Sequence, residues 1–482
     1  MQKFDAIIIG SGPNGLAAAI TLQQQGLRTL LFEGADTIGG GMRTKELTLP
    51  GFRHDVCSAI HPMALASPFF RSLPLAAFGL SFIKPDYAAA HPLHNGETGL
   101  LYHSLAETVR GLGADGEAYR RLVEQVIVHW DELAPDIMGP LSLPKHPLRL
   151  ARFGLDALQP ASWTAKRFTT AKAKALWAGM AAHGIQPLSN WTTSAIAIVL
   201  SAIGNKYGWQ IPVGGSQSIA DALLRYYQSL GGEVQTDYWL QDIRELPPHQ
   251  VLLCDITPRQ LLQLKGTGLT AGYRRRLQRY RQGMGVFKVD WALAEMTPFK
   301  DLRCQQAATV HLGNTYAEIA EGERLGHLGK RVERPFVLFS QQSAFDPGRA
   351  PQGRHTGWAY CHVPQGSTVD YTALIEDQVE RFAPGFKDTI LARHTFSPAQ
   401  LEQYNPNYVG GDINGGIMDI TQLYSRPILA LNPYRTSVEN MYICSSSTPP
   451  GGGVHGMCGY QAARKALKEH FGIVVNGWSA GQ

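Results

Sequence analysis

Short apolar runs that alternate with glycine turns and amphipathic segments predict an α/β chain. Residues 6–9 are an apolar run typical of a buried strand in a parallel sheet. Apolar residues over 16–22 then recur at helical spacing. A second apolar run, 29–32, ends at Glu33. The pattern predicts a β–α–β unit at the start of the chain.

The same patterns predict further elements along the chain. Ser104 can cap a helix, and Glu107 stands at the third position after it, as in a capping box. Glycine-rich loops occupy 405–416 and 445–456. Strands are predicted at 251–255, 286–293, 336–340, 357–363 and 441–444, and helices at 104–134, 218–230, 371–382 and after 456.

The first turn carries a glycine pattern with a physical function at each position. Gly10, Gly12 and Gly15 fit G-x-G-x-x-G. They allow a tight turn, a close approach of the backbone to a pyrophosphate, and close packing of the helix on the strand. Glu33 suits the hydroxyl groups of a ribose and disfavours a 2′-phosphate. The unit therefore predicts a dinucleotide site that does not take NADP, and the alternative is a glycine-rich turn in an unrelated α/β domain.

Composition narrows the class of protein. The 482 residues are 44% apolar and 17% charged, which predicts a globular chain of two or three domains. A net charge of +5 is too small to indicate nucleic acid as a partner. The six cysteines form no C-x-x-C and no zinc-like spacing, which predicts no metal site and a reducing compartment. No apolar run reaches the ~20 residues of a spanning helix. We expect a cytoplasmic protein.

One segment departs from the near-even balance of acidic and basic residues in the chain. Residues 137–220 hold eight Lys and Arg against one acid, Asp156. Aromatic residues lie within or beside the first part of that charge: Trp163, Phe168, Trp177 and Trp191. Such a face can rest on an anionic membrane surface. We expect peripheral membrane contact through Lys145 to Lys174, and the alternative is a solvated face of a helical substrate domain.

The residues after Glu33 resemble the extended fingerprint of FAD proteins of the glutathione reductase-2 class, in which a Gly-Gly-Arg turn follows the second strand. Here Gly39 and Gly40 are present, but Gly41 stands where the usual arginine would be. Arg43 comes two positions later. The resemblance assigns Arg43 to the pyrophosphate or the flavin edge, and the alternative is a surface arginine.

Stretches along nearly the whole chain resemble the phytoene-desaturase-like flavoproteins, a group that includes carotenoid desaturases, retinol saturases and the pyridine nucleotide-disulphide oxidoreductase domain 2 proteins. They include GSGPNGLAAA, VFKVDWAL, TGWAYCHVP, NPNYVGGDINGG and CSSSTPPGGGVHGMCGYQAAR. The resemblance implies a Rossmann-like FAD/NAD(P)-binding domain of the glutathione reductase-2 type, in three pieces at 1–75, 205–265 and 430–482. An α+β substrate domain, 76–204 and 266–429, is inserted between them.

The resemblance also implies non-covalent FAD and its site. The predicted cofactor-binding residues are Gly10, Gly12, Pro13, Asn14, Gly15, Glu33, Gly34, Gly40, Gly41, Arg43, Thr44, Val234, Gly453, Gly456 and Met457. His455, in the terminal glycine loop, is the predicted catalytic base, and its alternative role is to orient the loop. Tyr360, His362 and Tyr408 are weaker candidates.

Three functions remain open at this level. The first is an FAD-dependent oxidoreductase that desaturates or saturates a C–C or C–N bond of an apolar substrate, with a quinone, oxygen or a protein as electron acceptor. The second is a redox-neutral flavin isomerase or hydratase. The third is a non-catalytic FAD-binding scaffold or chaperone-like protein. Disulphide reduction is not expected, because a close cysteine pair and a second dinucleotide fingerprint are both missing. The substrate and the oligomeric state are not specified.

Overall fold

The computed structural model describes residues 3–475. Residues 1–2, at the start of the first predicted piece of the FAD domain, and residues 476–482, at the end of its last piece, lie outside the described residues. Within 3–475 the strands are β1 Phe4–Ile9, β2 Thr29–Phe32, β3 Thr44–Glu46, β4 Arg53–Asp55, β5 Phe82–Ile83, β6 Tyr87–Pro92, β7 Thr98–Tyr102, β8 Ile211–Pro212, β9 Glu233–Gln235, β10 His249–Cys254, β11 Gly285–Leu293, β12 Ala307–Leu312, β13 Val337–Ser340, β14 His355–Val363, β15 Ile390–Phe396 and β16 Met441–Ile443.

Helices connect and cover these strands. In the same described range the α-helices are α1 Pro13–Gln23, α2 Pro62–Ala66, α3 Pro68–Arg71, α4 Leu105–Leu112, α5 Gly116–Ile137, α6 Pro147–Ala157, α7 Ala161–Thr164, α8 Ala171–Ala182, α9 Thr193–Lys206, α10 Gln217–Ser229, α11 Pro258–Gln263, α12 Ala271–Gln278, α13 Tyr316–His327, α14 Thr372–Phe382, α15 Pro398–Tyr404, α16 Ile420–Leu423 and α17 Met457–Ala466. None of the helices described between 3 and 475 has the length and apolar character needed to cross a bilayer.

A five-stranded parallel sheet forms the first layer, in the order β16-β10-β1-β2-β9. Its central strand β1 is almost fully buried, which is why that strand is apolar rather than alternating. Helices α1 and α17 pack against each other beside the sheet. A Cβ at Gly459 of α17 would lie 1.7 Å from the carbonyl oxygen of Asn14. Only glycine permits that approach, so the close packing of α17 on α1 depends on Gly459.

A seven-stranded mixed sheet forms the second layer, in the order β15-β11-β14-β13-β12-β6-β7. Its neighbours are antiparallel except β12 and β6. Apolar residues of β11 to β14 and of α14 form a core on one face of this sheet. The strands of the first layer come from the segments predicted for the FAD domain, and those of the second layer from the inserted segments. The exact domain boundaries stay predictions.

The main departure from the predicted elements is in the helical region. Residues 104–134 form two helices rather than one, because Gly113 takes φ +62° and ends α4 before α5 begins. Ser104 does cap α4, since its side chain accepts from the N–H of Glu107. Elsewhere the predicted strands and helices occur with ends shifted by one or two residues. Element ends are the least specified feature of an apolar pattern.

Candidate functional site

One large cavity lies between the two sheets. Its volume is about 730 Å³, within the ~300–1,000 Å³ usual for ligand sites. One wall follows the carboxyl ends of β1, β2, β10 and β16; we call residues 9–14, 32–35, 255–257 and 445–446 the dinucleotide wall. The opposite wall contains Leu200, Trp209, Leu338, Trp358 and Tyr360, which we call the apolar wall. Open α/β sheets bind ligands outside the carboxyl ends of their strands, so the first wall is where a dinucleotide belongs.

The glycine turn lies on the dinucleotide wall. Gly10 has φ +92°, a backbone conformation that residues with a Cβ rarely adopt. A Cβ at Gly15 would lie 1.9 Å from the carbonyl oxygen of Gly10, so Gly15 lies behind the cavity lining and lets α1 approach the turn. Pro13 and Asn14 begin α1 and line the cavity. Gly12 provides no side-chain cap, and the N-terminus of α1 is a suitable anion site.

Glu33 lies at the end of β2 with both carboxylate oxygens engaged. Oε2 accepts from the N–H of Ser11 at 2.9 Å, and Oε1 accepts from the N–H of Ala35 at 2.9 Å. Arg43 Nη2 lies 3.2 Å from Oε1. Glu33 therefore links the glycine turn at Ser11 to the backbone of Ala35, in addition to lining the cavity. The sequence predicted its place but not this bracing role.

Arg43 is buried rather than exposed, with 3% of its surface accessible. Its guanidinium donates to the carbonyl oxygen of Thr37 through Nε at 3.0 Å and Nη2 at 2.6 Å. It also lines the cavity and lies over the ring of Tyr404. The departure at Gly41 has a steric reason, because a Cβ there would lie 2.5 Å from the hydroxyl of Tyr408. Tyr408 fills the space beside Gly41, and the arginine of this turn comes at 43.

Asp255 is a site residue that sequence reasoning missed. It follows β10 directly, and its Oδ2 accepts from the N–H of Gly15 at 2.8 Å. Burial raises the pKa of Asp255 to about 7, with a further contribution from the negative charge of Glu33. A carboxyl group at the N-terminus of α1 therefore changes charge near neutral pH. Its signal in the sequence was its position, one residue after a buried strand.

The outer end of the dinucleotide wall carries an aromatic side chain that the sequence also did not single out. Trp239 lines the cavity, and a Cβ at Gly34 would lie 2.5 Å from its indole ring. The glycine at 34 thus makes room for an indole next to Glu33, where the ribose end of a dinucleotide would be expected. Two buried polar atoms in this lining, Asn14 Oδ1 and Thr257 Oγ1, have no hydrogen-bond partner among the described residues. Unpaired polar atoms fit a ligand rich in hydroxyl and amide groups.

The terminal glycine loop reaches the cavity at Gly453 and Val454 but not at His455. Nδ1 of His455 accepts from the N–H of Met457 at 3.0 Å, which leaves the proton on Nε2, 3.2 Å from the carbonyl oxygen of Gly451. Burial lowers the pKa of His455 to about 4. Both ring nitrogens are used by the loop, and this arrangement favours the alternative role of His455 in orienting the loop.

The predicted cofactor residues divide into two groups. Those that line the cavity are Gly10, Gly12, Pro13, Asn14, Glu33, Gly34, Gly40, Gly41, Arg43 and Gly453. Those outside the lining are Gly15, Thr44, Val234, Gly456 and Met457. Gly456 lies between α1 and Phe69, and Val234 of β9 packs against the core. The side chains of the second group do not line the cavity, so these residues would affect a bound cofactor through backbone position or packing.

His183, which the sequence did not indicate, lines the cavity next to the apolar wall. His183 follows α8 and lines the cavity beside Trp209, with ring centroids 5.3 Å apart. Its Nε2 lies 3.0 Å from Nε2 of the fully buried His311. Gly179 makes room for the buried ring, because a Cβ there would lie 2.5 Å from Nδ1 of His311. Burial lowers the pKa of His183 to about 3 and that of His311 further, so both rings are neutral at neutral pH.

A buried ion pair fixes the apolar wall from behind. Arg349 Nη2 lies 2.6 Å from Oδ2 of Asp55, and both side chains are inaccessible to solvent. Burial alone would raise the pKa of Asp55, but the charge and hydrogen bond of Arg349 lower it below its usual value. The carbonyl oxygen of Asp55 accepts from Nε1 of Trp358 at 3.1 Å. Asp55 therefore binds Arg349 through its carboxylate and an indole of the apolar wall through its backbone.

A Rossmann-like parallel sheet thus shares one cavity with a second, mixed sheet. Residues 8–73 match the NAD(P)-binding Rossmann-like domain. The chain is 25% identical to the pyridine nucleotide-disulfide oxidoreductase domain-containing protein 2 of Mus musculus, over 97% of this chain and 94% of that protein. It is 24% identical to the phytoene desaturase (neurosporene-forming) of Rhodobacter capsulatus, over 94% and 92%.

The fold agrees with these relatives. Putrescine oxidase, solved with bound putrescine, superimposes with a TM-score of 0.59 at 16% identity, over 97% of this chain and 99% of the other. The predicted fold class is confirmed, as is the predicted resemblance, since homologues of the chain include pyridine nucleotide-disulfide oxidoreductase domain-containing protein 2 and phytoene desaturases. The predicted enzyme class, a phytoene-desaturase-like oxidoreductase, is confirmed through the same homologues.

Proposed function

We propose that this chain binds FAD non-covalently and uses it to remove or add hydrogen across a bond of an apolar organic substrate. The observation that carries the proposal is the continuity of the cavity. A wall built for a dinucleotide and a wall of Leu200, Trp209, Leu338, Trp358 and Tyr360 enclose the same space. A flavin that lies along the first wall would reach a substrate held by the second.

The residues of the dinucleotide wall fit FAD. The backbone of the glycine turn at the start of α1 suits a pyrophosphate, although the N–H of Gly15 there already donates to Asp255, and Glu33 suits a ribose. Asn14 and Thr257 offer unpaired polar atoms. Bound FAD would supply the hydride acceptor or donor. Electrons would pass onward to a quinone, oxygen or an acceptor protein.

The substrate is proposed to be a hydrocarbon rather than an amine. The acidic residues in the lining, within the described range, are Glu33 and Asp255, and both belong to the dinucleotide wall. An ammonium group at the apolar wall would have no carboxylate to pair with, and burying an unpaired charge is costly. Phytoene desaturase among the relatives is named for an apolar substrate, whereas the similar structure of putrescine oxidase holds an amine.

We propose that His183 handles the proton that accompanies hydride transfer. Burial lowers the pKa of His183 to about 3, so the ring would hold the proton only transiently, while His311 holds the ring in place. The surrounding aromatic and aliphatic side chains orient the substrate and exclude water. In the desaturating direction bound FAD would supply the hydride acceptor, and His183 would take the proton that the substrate loses.

Anaerobic titration of the FAD-loaded protein tests the proposal. Isoprenoid-type alkenes and primary amines are added separately, and the visible absorbance of oxidised flavin is followed. Bleaching by the hydrocarbon supports the proposal. Bleaching by amines alone would overturn the substrate class. Turnover of an alkene without any flavin reduction would favour the isomerase or hydratase alternative. Binding of FAD without reaction of any alkene or amine would favour the non-catalytic scaffold.

A further inference from the structure

Helix α6 is apolar on both of its sides, which is unusual for a helix at the surface. Leu150 and Phe153 pack against the core, as expected for the inner side. Leu148 and Leu155, seven residues apart and therefore on one face, are 86% and 72% exposed. A surface helix normally presents polar residues to solvent. The outer face of α6 is thus built like a contact face.

The exposed apolar surface continues at both ends of α6. In the segment before it, Leu141 and Leu143 are 74% and 95% exposed. After it, the N–H of Thr192 donates to the carbonyl oxygen of Leu158 at 2.9 Å, which brings the neighbouring Trp191 beside the end of the helix. Trp191 and Trp163 are half-exposed and contact each other, with ring centroids 5.2 Å apart. Phe168 and Trp177, the other aromatic residues of the basic segment, are buried in the core.

Cations outnumber acids around these side chains: Asp136 lies near Lys145, and two further acids are already paired. Glu132 pairs with Arg149, and Asp156 pairs with Arg167. Across the described residues no salt bridge involves the remaining basic residues of this surface, which include Lys145, Arg152 and Lys166. The surface is therefore apolar at its centre and positive around it. An excess of positive charge next to apolar side chains suits a partner that is apolar inside and anionic outside.

We propose that this face docks on an anionic lipid bilayer. The α6 surface consists of Leu141, Leu143, Leu148, Leu155, Trp163 and Trp191, with Lys145, Arg152 and Lys166 around it. Leucines would enter the acyl boundary, tryptophans would lie at the headgroup level, and the cations would face anionic headgroups. The proposal goes beyond the redox function and does not depend on it.

Co-sedimentation with lipid vesicles tests the docking. The full chain is mixed with vesicles of phosphatidylcholine alone or with roughly one third phosphatidylglycerol, whose negative potential attracts basic residues. We expect binding to the anionic vesicles that weakens at high salt. Equal binding to both vesicle types, or binding to neither, would overturn the proposal.

Paired variants assign the binding to this surface. Leu148→Ser with Leu155→Ser should weaken vesicle binding about tenfold or more, because each leucine would no longer be buried in lipid. The control is Leu302→Ser with Leu328→Ser, two leucines that are 65% and 55% exposed elsewhere. Unchanged circular dichroism shows that each variant is folded. An equal loss in the control pair, or no loss in the α6 pair, would contradict insertion by α6.

Charge variants test the second half of the surface. Lys145→Gln with Arg152→Gln should weaken binding about 25-fold, since each basic residue near an anionic surface contributes about fivefold. The control is Lys330→Gln, an exposed lysine of another region. Sedimentation of the lipid-free protein identifies the competing occupant. A dimer that the leucine variants dissociate would show that the face binds a second copy of this chain and would overturn the lipid assignment.

Discussion

Replacement of Asp255 by asparagine should remove a pH-dependent penalty on the folded protein. The carboxyl group lies at the dinucleotide wall, where burial raises its pKa to about 7 from 3.8. Between these values the folded state holds a proton that the unfolded state has released. The stability of the FAD-free protein therefore falls as pH rises from about 4 to about 7, and the loss is complete above the folded pKa.

The size of this penalty follows from the shift. About three pKa units correspond to ~4 kcal/mol of unfolding free energy at about pH 8, at 1.36 kcal/mol per unit. Partial exposure of Asp255 makes this an upper value. Asparagine keeps an oxygen that can accept from the N–H of Gly15 but carries no charge. The gain of Asp255→Asn over wild type should thus be near zero at about pH 4 and reach a few kcal/mol at about pH 8.

Urea unfolding of the FAD-free protein at a series of pH values, at constant ionic strength, measures the difference. Glu295→Gln serves as the control, because Glu295 is an exposed acid in the bend after β11, remote in sequence from the glycine turn. Parallel pH profiles for wild type and Asp255→Asn would refute the reasoning. FAD titrations give an independent measurement. Wild-type affinity should fall as pH rises through about 7, because a pyrophosphate and an ionised Asp255 repel each other. The variant should show little of this dependence.

Four further predictions concern named side chains, and a fifth concerns the cofactor. Glu33→Ala should weaken FAD binding about ten- to a hundredfold, because it removes a charge-assisted hydrogen bond of about 1.5–3 kcal/mol. Glu33→Gln should lose less affinity. Equal FAD affinities of the wild-type and variant apoproteins would show that Glu33 does not contact the ribose. His183→Gln should slow substrate-dependent flavin reduction by ~10²–10⁴-fold at unchanged FAD affinity. His455→Gln should instead lower FAD affinity and leave the rate of flavin reduction nearly unchanged. Stopped-flow at saturating FAD measures both variants, and slow reduction in His455→Gln but not in His183→Gln would contradict the assignment. Arg349→Met should destabilise the protein by about 3–5 kcal/mol, because it leaves Asp55 buried and unpaired; urea unfolding measures this, and Arg349→Met with Asp55→Asn should recover part of it. Acid precipitation should release FAD into the supernatant, whereas flavin retained in the pellet would mean covalent attachment.

The first sheet and its turn could be predicted from sequence because their determinants are local. An apolar run, three glycines at fixed spacing and an acid after the second strand specify a β–α–β unit within about thirty residues. The placement of Gly10, Gly12 and Glu33 on the cavity wall follows from strand direction alone, since side chains at the carboxyl ends of neighbouring parallel strands share one edge.

Only the tertiary structure determines the contacts between residues that are far apart in the chain. Tyr408 beside Gly41, Asp255 on the N–H of Gly15, and His311 beside His183 are separated by roughly 130 to 370 residues, and no local period encodes them. The same holds for His455, whose place in a glycine loop suggested freedom to react, whereas Gly451 and Met457 use both of its ring nitrogens. Pattern and spacing report what a segment forms; burial and hydrogen-bond partners, which decide whether a side chain is available for chemistry, exist only once the segments are packed together.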